Sequence, residues 1–579
     1  MKKKILLSLV LLGFCILNIF AYGNTSLFNS TKDIRVISTE HFNIIYNNQS
    51  SLLAKDIYQN CEDLFNDICD NFDFSIDHSF NVVVTADIQQ FNSYFASFPN
   101  EIVIFDTVTT NNYYNYFYDH FMLNVFKHEL THALSLTDDN KFITNIFGKL
   151  FSPANIFLTS FQKEGITVNS ESQDGQGRLN NPSYDALLYE SKIEGNFPSY
   201  FDVQGLRDIP SNANYYLFGA YFYQYLIDTY GVENFNKYWE MNSNWNVFLI
   251  FPNYSFKKVY NITIEQAWKA FENSIEDISI NYSIDIKTIE NIYPKYIVGS
   301  GTNVFIGDYF QNNTEKFDKE NFKLSSYSSS FADLGEITAN KDTIVLSKYN
   351  NSAQPLTYTR VVNQNGSYTY DIDSFRLAIL LDSTTLVGVK NEGEIEYLQW
   401  IDTNNLKVMK TFNLKDNEAV QNIAVNSSND IVFTSRIGES NYLSILSAKK
   451  RVLYKLGERV SIEGLNIYQD KAVLTTIRDG ELARLTLIDL ASGRMDYMDS
   501  NILGGVYSPT MLDDNTILFI SKYYDRSNLS VLYVNDINFN TVYLEKSLSE
   551  NLPKKQSKVT IDGFRKYNPL DFIFDDKLF

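Results

Sequence analysis

The chain contains five histidines, and two of them fall in His128-Glu129-Leu130-Thr131-His132. Side chains four apart share one face of a helix, so both imidazoles can reach a single metal ion, while the intervening carboxylate lies close enough to take a proton from a metal-bound water. The chemistry this spacing implies is zinc-assisted hydrolysis, with His128 and His132 as metal ligands and Glu129 as the catalytic general base. The helix that must carry them is legible around the motif. Met122, Val125, Phe126, Leu130, Ala133 and Leu134 form an apolar stripe inside an expected helix over 117–136. His41, His78 and His120 have no metal spacing and are expected at ordinary surface or core positions.

Catalytic zinc keeps three protein ligands and one open position, so a third ligand is needed. A histidine six places beyond His132, with a glycine three places beyond, is ruled out because those positions hold Asp138 and Ser135. Further along come Phe161-Gln162-Lys163-Glu164-Gly165-Ile166 with Glu171 after them, then Gly175-Gln176-Gly177-Arg178, then Tyr216-Leu217-Phe218-Gly219-Ala220-Tyr221-Phe222 with Tyr230-Gly231. Near the start stands a strand-like Glu40-His41-Phe42-Asn43-Ile44-Ile45-Tyr46. Together with the His-Glu-Leu-Thr-His run, these residues resemble the bacterial peptidase MA-like (gluzincin) zinc metallopeptidases that carry a C-terminal TolB-like β-propeller. The resemblance covers about residues 38–238 and extends to the propeller by architecture. It departs at Asn169, where an aromatic is usual, at Gln176, where the loop usually has Arg, and at Phe218, where Lys usually precedes the glycine.

The resemblance implies one Zn²⁺ per chain, with Glu164 on a second helix as the third metal ligand, 32 residues after His132. It also implies that Tyr216, three before Gly219, is catalytic and donates its hydroxyl to the oxyanion of the tetrahedral intermediate. Glu171 is a candidate for orienting a ligand histidine, while Asp138 and Arg178 are expected to be structural. No residue selects a free amino terminus, so an endopeptidase is expected over an aminopeptidase. A peptide substrate is expected to add to an edge strand around Ile102-Val103-Ile104-Phe105.

Composition limits the alternatives. Lys+Arg number 49 against 69 Asp+Glu, a formal net charge of -20, which excludes a nucleic-acid binder built on clustered cations. With 44% hydrophobic and 20% charged residues the chain can build packed cores, and 579 residues call for more than one unit. Lys2, Lys3 and Lys4, an apolar run from Ile5 to Leu17 and Ala21-Tyr22-Gly23 read as a signal peptide over 1–23, implying export to the periplasm or cell exterior. Bulky Phe14 before Cys15 argues against lipidation, and no transmembrane span is expected after leader removal. Cys61 and Cys69 sit eight apart on a helical pattern, about 12 Å at 1.5 Å per residue, too far to bridge.

The two halves differ in texture. Residues 24–290 alternate helical patterns (53–72, 117–136, 216–230, 264–280) with strands (42–46, 80–85, 101–106), an α+β domain. From 291 to 550 a strand after a polar turn recurs. Taking Val304, Ile344, Leu386, Ile431, Val473 and Ile517 as equivalent gives spacings of 40, 42, 45, 42 and 44, the period of a four-stranded propeller blade. The expected fold is therefore multidomain, an α+β gluzincin-type domain followed by an all-β propeller of six blades and a tail over 551–579. The bland alternative for the second half is a pair of β-sandwiches with regular hairpins. Function reads as an exported zinc peptidase acting on a peptide or protein, its propeller recruiting substrate or a partner such as an envelope protein or glycan. The rival reading is a catalytically vestigial exported scaffold that binds through the propeller.

Overall fold

The computed structural model describes residues 27–30, 33–90, 92–96, 100–107, 120–138, 158–205, 214–245, 252–290, 293–308, 313–328, 336–350, 352, 354–363, 368–373, 375–393, 395–447, 450–549, 552–553 and 558–568; the expected leader lies outside them. The first half opens with β1 (Arg35–Ser38), β2 (Phe42–Tyr46), α1 (Ser51–Phe72), β3 (Phe80–Thr85), β4 (Tyr94–Ala96) and β5 (Glu101–Phe105). The helices α2 (Phe121–Thr137), α3 (Ser160–Glu171), α4 (Pro182–Ile193), α5 (Asn214–Tyr230), α6 (Val232–Trp245), α7 (Pro252–Tyr260) and α8 (Ile264–Ser274) follow. β2, β3 and β5 run parallel, and their near-continuous apolar sequences are buried between layers. α1 packs Leu53, Ile57, Cys61, Phe65, Ile68 and Phe72 into the same core as α2 and α5. Both of its cysteines are free.

Two expectations for this half change. The segment 102–105 is not an edge, because β4 pairs antiparallel with β5, Tyr94 opposite Val103 and Ala96 opposite Glu101, and so occupies the outside of the sheet. A three-residue strand is too short to show alternation in sequence. The last helix starts where expected, with a Thr263–Gln266 capping box, but ends at Ser274 instead of 280 because the chain turns extended at Ile275.

The second half is a ring of six antiparallel sheets. Four-stranded blades span residues 294–328, 336–373, 377–413, 418–458 and 461–498; the sixth has three strands between 507 and 533 and takes its fourth from β6 (Lys287–Glu290). The innermost strand of each blade touches the next, and the sixth returns to the first, so the ring closes and the sandwich alternative falls. All six residues chosen for the repeat lie on the second strand of their blades and are buried. The boundary at 290/291 needs correction, since β6 completes blade six by pairing with Ser527–Tyr533. Further strands join at the C-terminal end, one of them, Arg565–Lys566, within the tail expected over 551–579. Phe539–Tyr543 and Lys546–Ser549 add fifth strands to blades five and four, and Arg565–Lys566 pairs with β1.

One face of the ring carries the α+β half. Gln89 accepts from Thr357 on blade two, and Gly393 on blade three lies against Asp106. Glu190 and Glu194, on α4 and at its end, accept from the backbone N–H groups of Gly504 and Tyr524, 2.8 and 2.6 Å away. Ala186 of α4 is buried with Ile477, Leu482, Ala483 and Tyr507 of the propeller, so the two halves share apolar core. No described helix is long and apolar enough to cross a membrane.

Candidate metal centre

α2 and α3 bring the metal candidates together. The α3 N-terminus is fixed by a capping box in which Thr159 and Gln162 satisfy each other's backbone N–H groups. The two helices are tied by the Thr131 hydroxyl, which lies 2.8 Å from its own helix's Lys127 carbonyl and 2.9 Å from Ser170 Oγ across the crossing. α3 also crosses α5 where two glycines meet. A Cβ on Gly219 would stand 2.6 Å from the Phe161 carbonyl oxygen and 3.0 Å from Gly165 Cα, so only glycines permit this approach.

At this junction Glu164 Oε2 lies 3.3 Å from His128 Nε2 and 3.1 Å from His132 Nε2. The three side chains are 8%, 12% and 17% exposed, and their ligand-type atoms all lie within 4.8 Å of one another. Zinc bonds of about 2.0–2.1 Å at tetrahedral angles put ligand atoms about 3.3 Å apart, so the donor set fits zinc in kind and the two histidine–Glu164 distances match that spacing. His128 Nδ1 is 2.8 Å from Glu171 Oε2, so a metal bound at Nε2 would leave the ring proton on Nδ1, donated to that carboxylate.

Burial works against charge throughout the cluster. It lowers the pKa of His128, but hydrogen bonds to Glu164 and Glu171 overcome it and lift the imidazole to about 9. It raises Glu164, yet the two imidazoles hold that carboxyl well below the usual range. Glu171 is likewise held low against its burial, chiefly by Arg178. Glu129, fully enclosed, is raised by burial despite the opposing pull of His128 and His132.

Sequence reasoning placed Tyr216 here, and its ring centroid is 6.5 Å from that of His128. Arg178 was expected to be structural, but the structure puts it in the site: Nε is 2.8 Å from Glu171 Oε1, and the guanidinium lies 4.9 Å from the Tyr216 ring centroid. The available signal was Gly177, whose φ of 78° and lack of room for a Cβ, 2.7 Å from the Glu171 carbonyl oxygen, let the loop fold back on α3. Asp138, expected to be structural, accepts from the Ser75 N–H at 3.0 Å. His41 pairs with Glu62 and stacks on Phe65, and His120 precedes α2.

No protein-family model matches the chain. An uncharacterized protein of Treponema pallidum (strain Nichols) is 32% identical over 252 residues, which are 42% of this chain and 22% of that protein. The chain thus spans less than a quarter of the curated relative it matches. Among solved structures, the propeller domain of the Trilobed protease from Pyrococcus furiosus is similar at 12% identity over 43% of this chain and 98% of that one, TM-score 0.29. Virginiamycin B lyase from Staphylococcus aureus gives 12% over 43% and 99%, TM-score 0.29. The tricorn protease gives 12% over 46% and 27%, TM-score 0.31.

Proposed function

We propose that the protein is an exported zinc-dependent peptidase of the gluzincin type, hydrolysing peptide bonds in a peptide or protein substrate, with the propeller recruiting that substrate or a partner such as an envelope protein or glycan. The observation that carries the reading is the convergence of His128 Nε2, His132 Nε2 and Glu164 Oε2, with the far nitrogen of His128 already engaged by Glu171. Bound there, zinc supplies a Lewis acid that lowers the pKa of a water to about 7 and polarises a carbonyl.

The chain's own residues divide the remaining work. Glu129 takes the proton of the attacking water on its carboxylate and hands it to the leaving amine. The Tyr216 hydroxyl donates to the substrate carbonyl oxygen as that atom gains charge. Glu171 keeps the His128 ring in the tautomer that offers Nε2. A substrate chain would add beside β4, which among the described residues is the last strand of the sheet and replaces 102–105 in this role.

Glu129→Gln tests the reading because it preserves shape and hydrogen bonding but removes the base. The variant is expected to keep its fold and its zinc while losing hydrolysis of a mixed peptide library by at least about 10²-fold. Equal activity in both forms would remove the hydrolase reading. Zinc binding without cleavage of peptides or denatured proteins by either form would favour the scaffold.

A further inference from the structure

The Gly-Gln-Gly-Arg loop faces two ways. On one side Arg178 grips Glu171 with Nε at 2.8 Å, a terminal nitrogen at 3.2 Å and its own backbone N–H at 3.3 Å, three donors on one carboxylate. That carboxylate is the acceptor for His128 Nδ1, and the same guanidinium lies over the face of Tyr216. On the other side the loop is fastened to the propeller. Gln176 Nε2 reaches Glu439 of blade four at 3.4 Å, Arg459 donates to the Asn180 carbonyl at 3.3 Å, and Ser461, opening blade five, donates to Asn181 Oδ1 at 2.7 Å. Ser461 and Asn181 are both buried, so this last contact is sheltered from water.

We infer that Arg178 is a positioning residue of the metal site and that the propeller holds it there. It fixes Glu171 against His128 and Tyr216 beside it, from a loop anchored on blades four and five. The inference rests on the metal-centre reading above. A planar guanidinium suits the task because it offers a bidentate fork to the carboxylate and a flat face to the ring, which a lysine ammonium lacks. With Arg178 removed, Glu171 would lose the three donors that fix the direction of its carboxylate toward His128 Nδ1.

The test uses full-length protein in four forms: wild type, Arg178→Ala, Arg178→Lys, and the propeller double variant Arg459→Ala with Ser461→Ala. Zinc dissociation constants come from chelator competition and ligand geometry from the visible spectrum of the cobalt-loaded protein, with circular dichroism as the fold control. Arg178→Ala is expected to weaken zinc about 10–100-fold and to alter the cobalt spectrum, the usual cost of losing a partner behind a metal ligand. Arg178→Lys should recover part of that affinity but lower kcat on a peptide with little change in KM, since Tyr216 loses its stacking partner. The propeller variant should move affinity and spectrum in the same direction by a smaller factor. A folded Arg178→Ala with wild-type affinity and spectrum overturns the role of Arg178; should that variant not fold, wild-type affinity and kcat in Arg178→Lys do so. An unchanged propeller variant overturns the propeller's part. A wild-type chain that takes up no zinc removes the metal-centre reading itself.

Discussion

In the propeller, Arg451 is buried against Glu418, with Nη1 2.9 Å from Oε2, and Arg376 is buried against Glu396 at 2.6 Å. In the α+β half, Glu129, Glu164 and Glu171 are gathered with the guanidinium of Arg178, while nearby Lys127 is paired with Asp174. These two propeller pairs balance charge one to one, whereas the site holds more carboxylates than cations. Unbalanced buried charge is costly, and in the site the imidazoles partly offset it, as the raised His128 shows. A divalent cation would balance it outright. Buried charge in these propeller pairs is thus balanced within the fold, whereas at the site the proposed metal would balance it.

Breaking a balanced pair should have the largest effect on stability. Arg451→Ala leaves Glu418, with its side chain wholly buried, without its cation, and is expected to cost about 3–5 kcal/mol in denaturant unfolding while zinc content stays at the wild-type level. A loss below about 1 kcal/mol would show that the pair is not what holds this part of the ring. Next in size is Gly219→Ala, where the new methyl meets the Phe161 carbonyl at 2.6 Å and must push α5 away from α3. An overpacking cost of about 1–3 kcal/mol is expected, accompanied by weaker zinc binding because α3 carries Glu164.

The smallest effect concerns the seam between the halves. Burial lifts the pKa of Glu190 from 4.5 to about 8, with the Gly504 N–H opposing. A carboxyl raised by folding favours the folded state while protonated. Its contribution is full below pH 4.5 and is lost as the pH climbs through about 8. Melting temperature should therefore fall between pH 5 and pH 9, and Glu190→Gln should shrink that fall without abolishing it, since Glu194 and Asp185 are raised in the same way. An unchanged slope would mean that Glu190 does not report the seam.

Repetition made the propeller legible. One apolar position per blade, from Val304 to Ile517, fixed the period and the blade count. What repetition could not show was the closure, because β6 precedes the first blade and carries no repeat signal, and its pairing with blade six is a contact across most of the ring's sequence. The fifth strands and the return of Arg565–Lys566 to β1 were hidden for the same reason. In the other half, His128, Glu129 and His132 stand out by helical spacing and Glu164 by the resemblance, and the structure brings His128, His132 and Glu164 together. Arg178 escaped because its role depends on a loop reversal at Gly177 and on two partners from separate helices, neither of which leaves a periodic trace. The edge strand β4 escaped because three residues hold no pattern.

The central claim is that His128, His132 and Glu164 hold one zinc ion. Metal analysis of full-length protein after zinc loading and exhaustive dialysis, beside Glu164→Ala treated identically, tests it most directly. The account predicts about one zinc per chain in the wild type and clear loss in the variant, whose missing oxygen ligand would otherwise bind at about 2.0–2.2 Å. A wild-type chain without zinc, or stoichiometric zinc retained in Glu164→Ala, would contradict it.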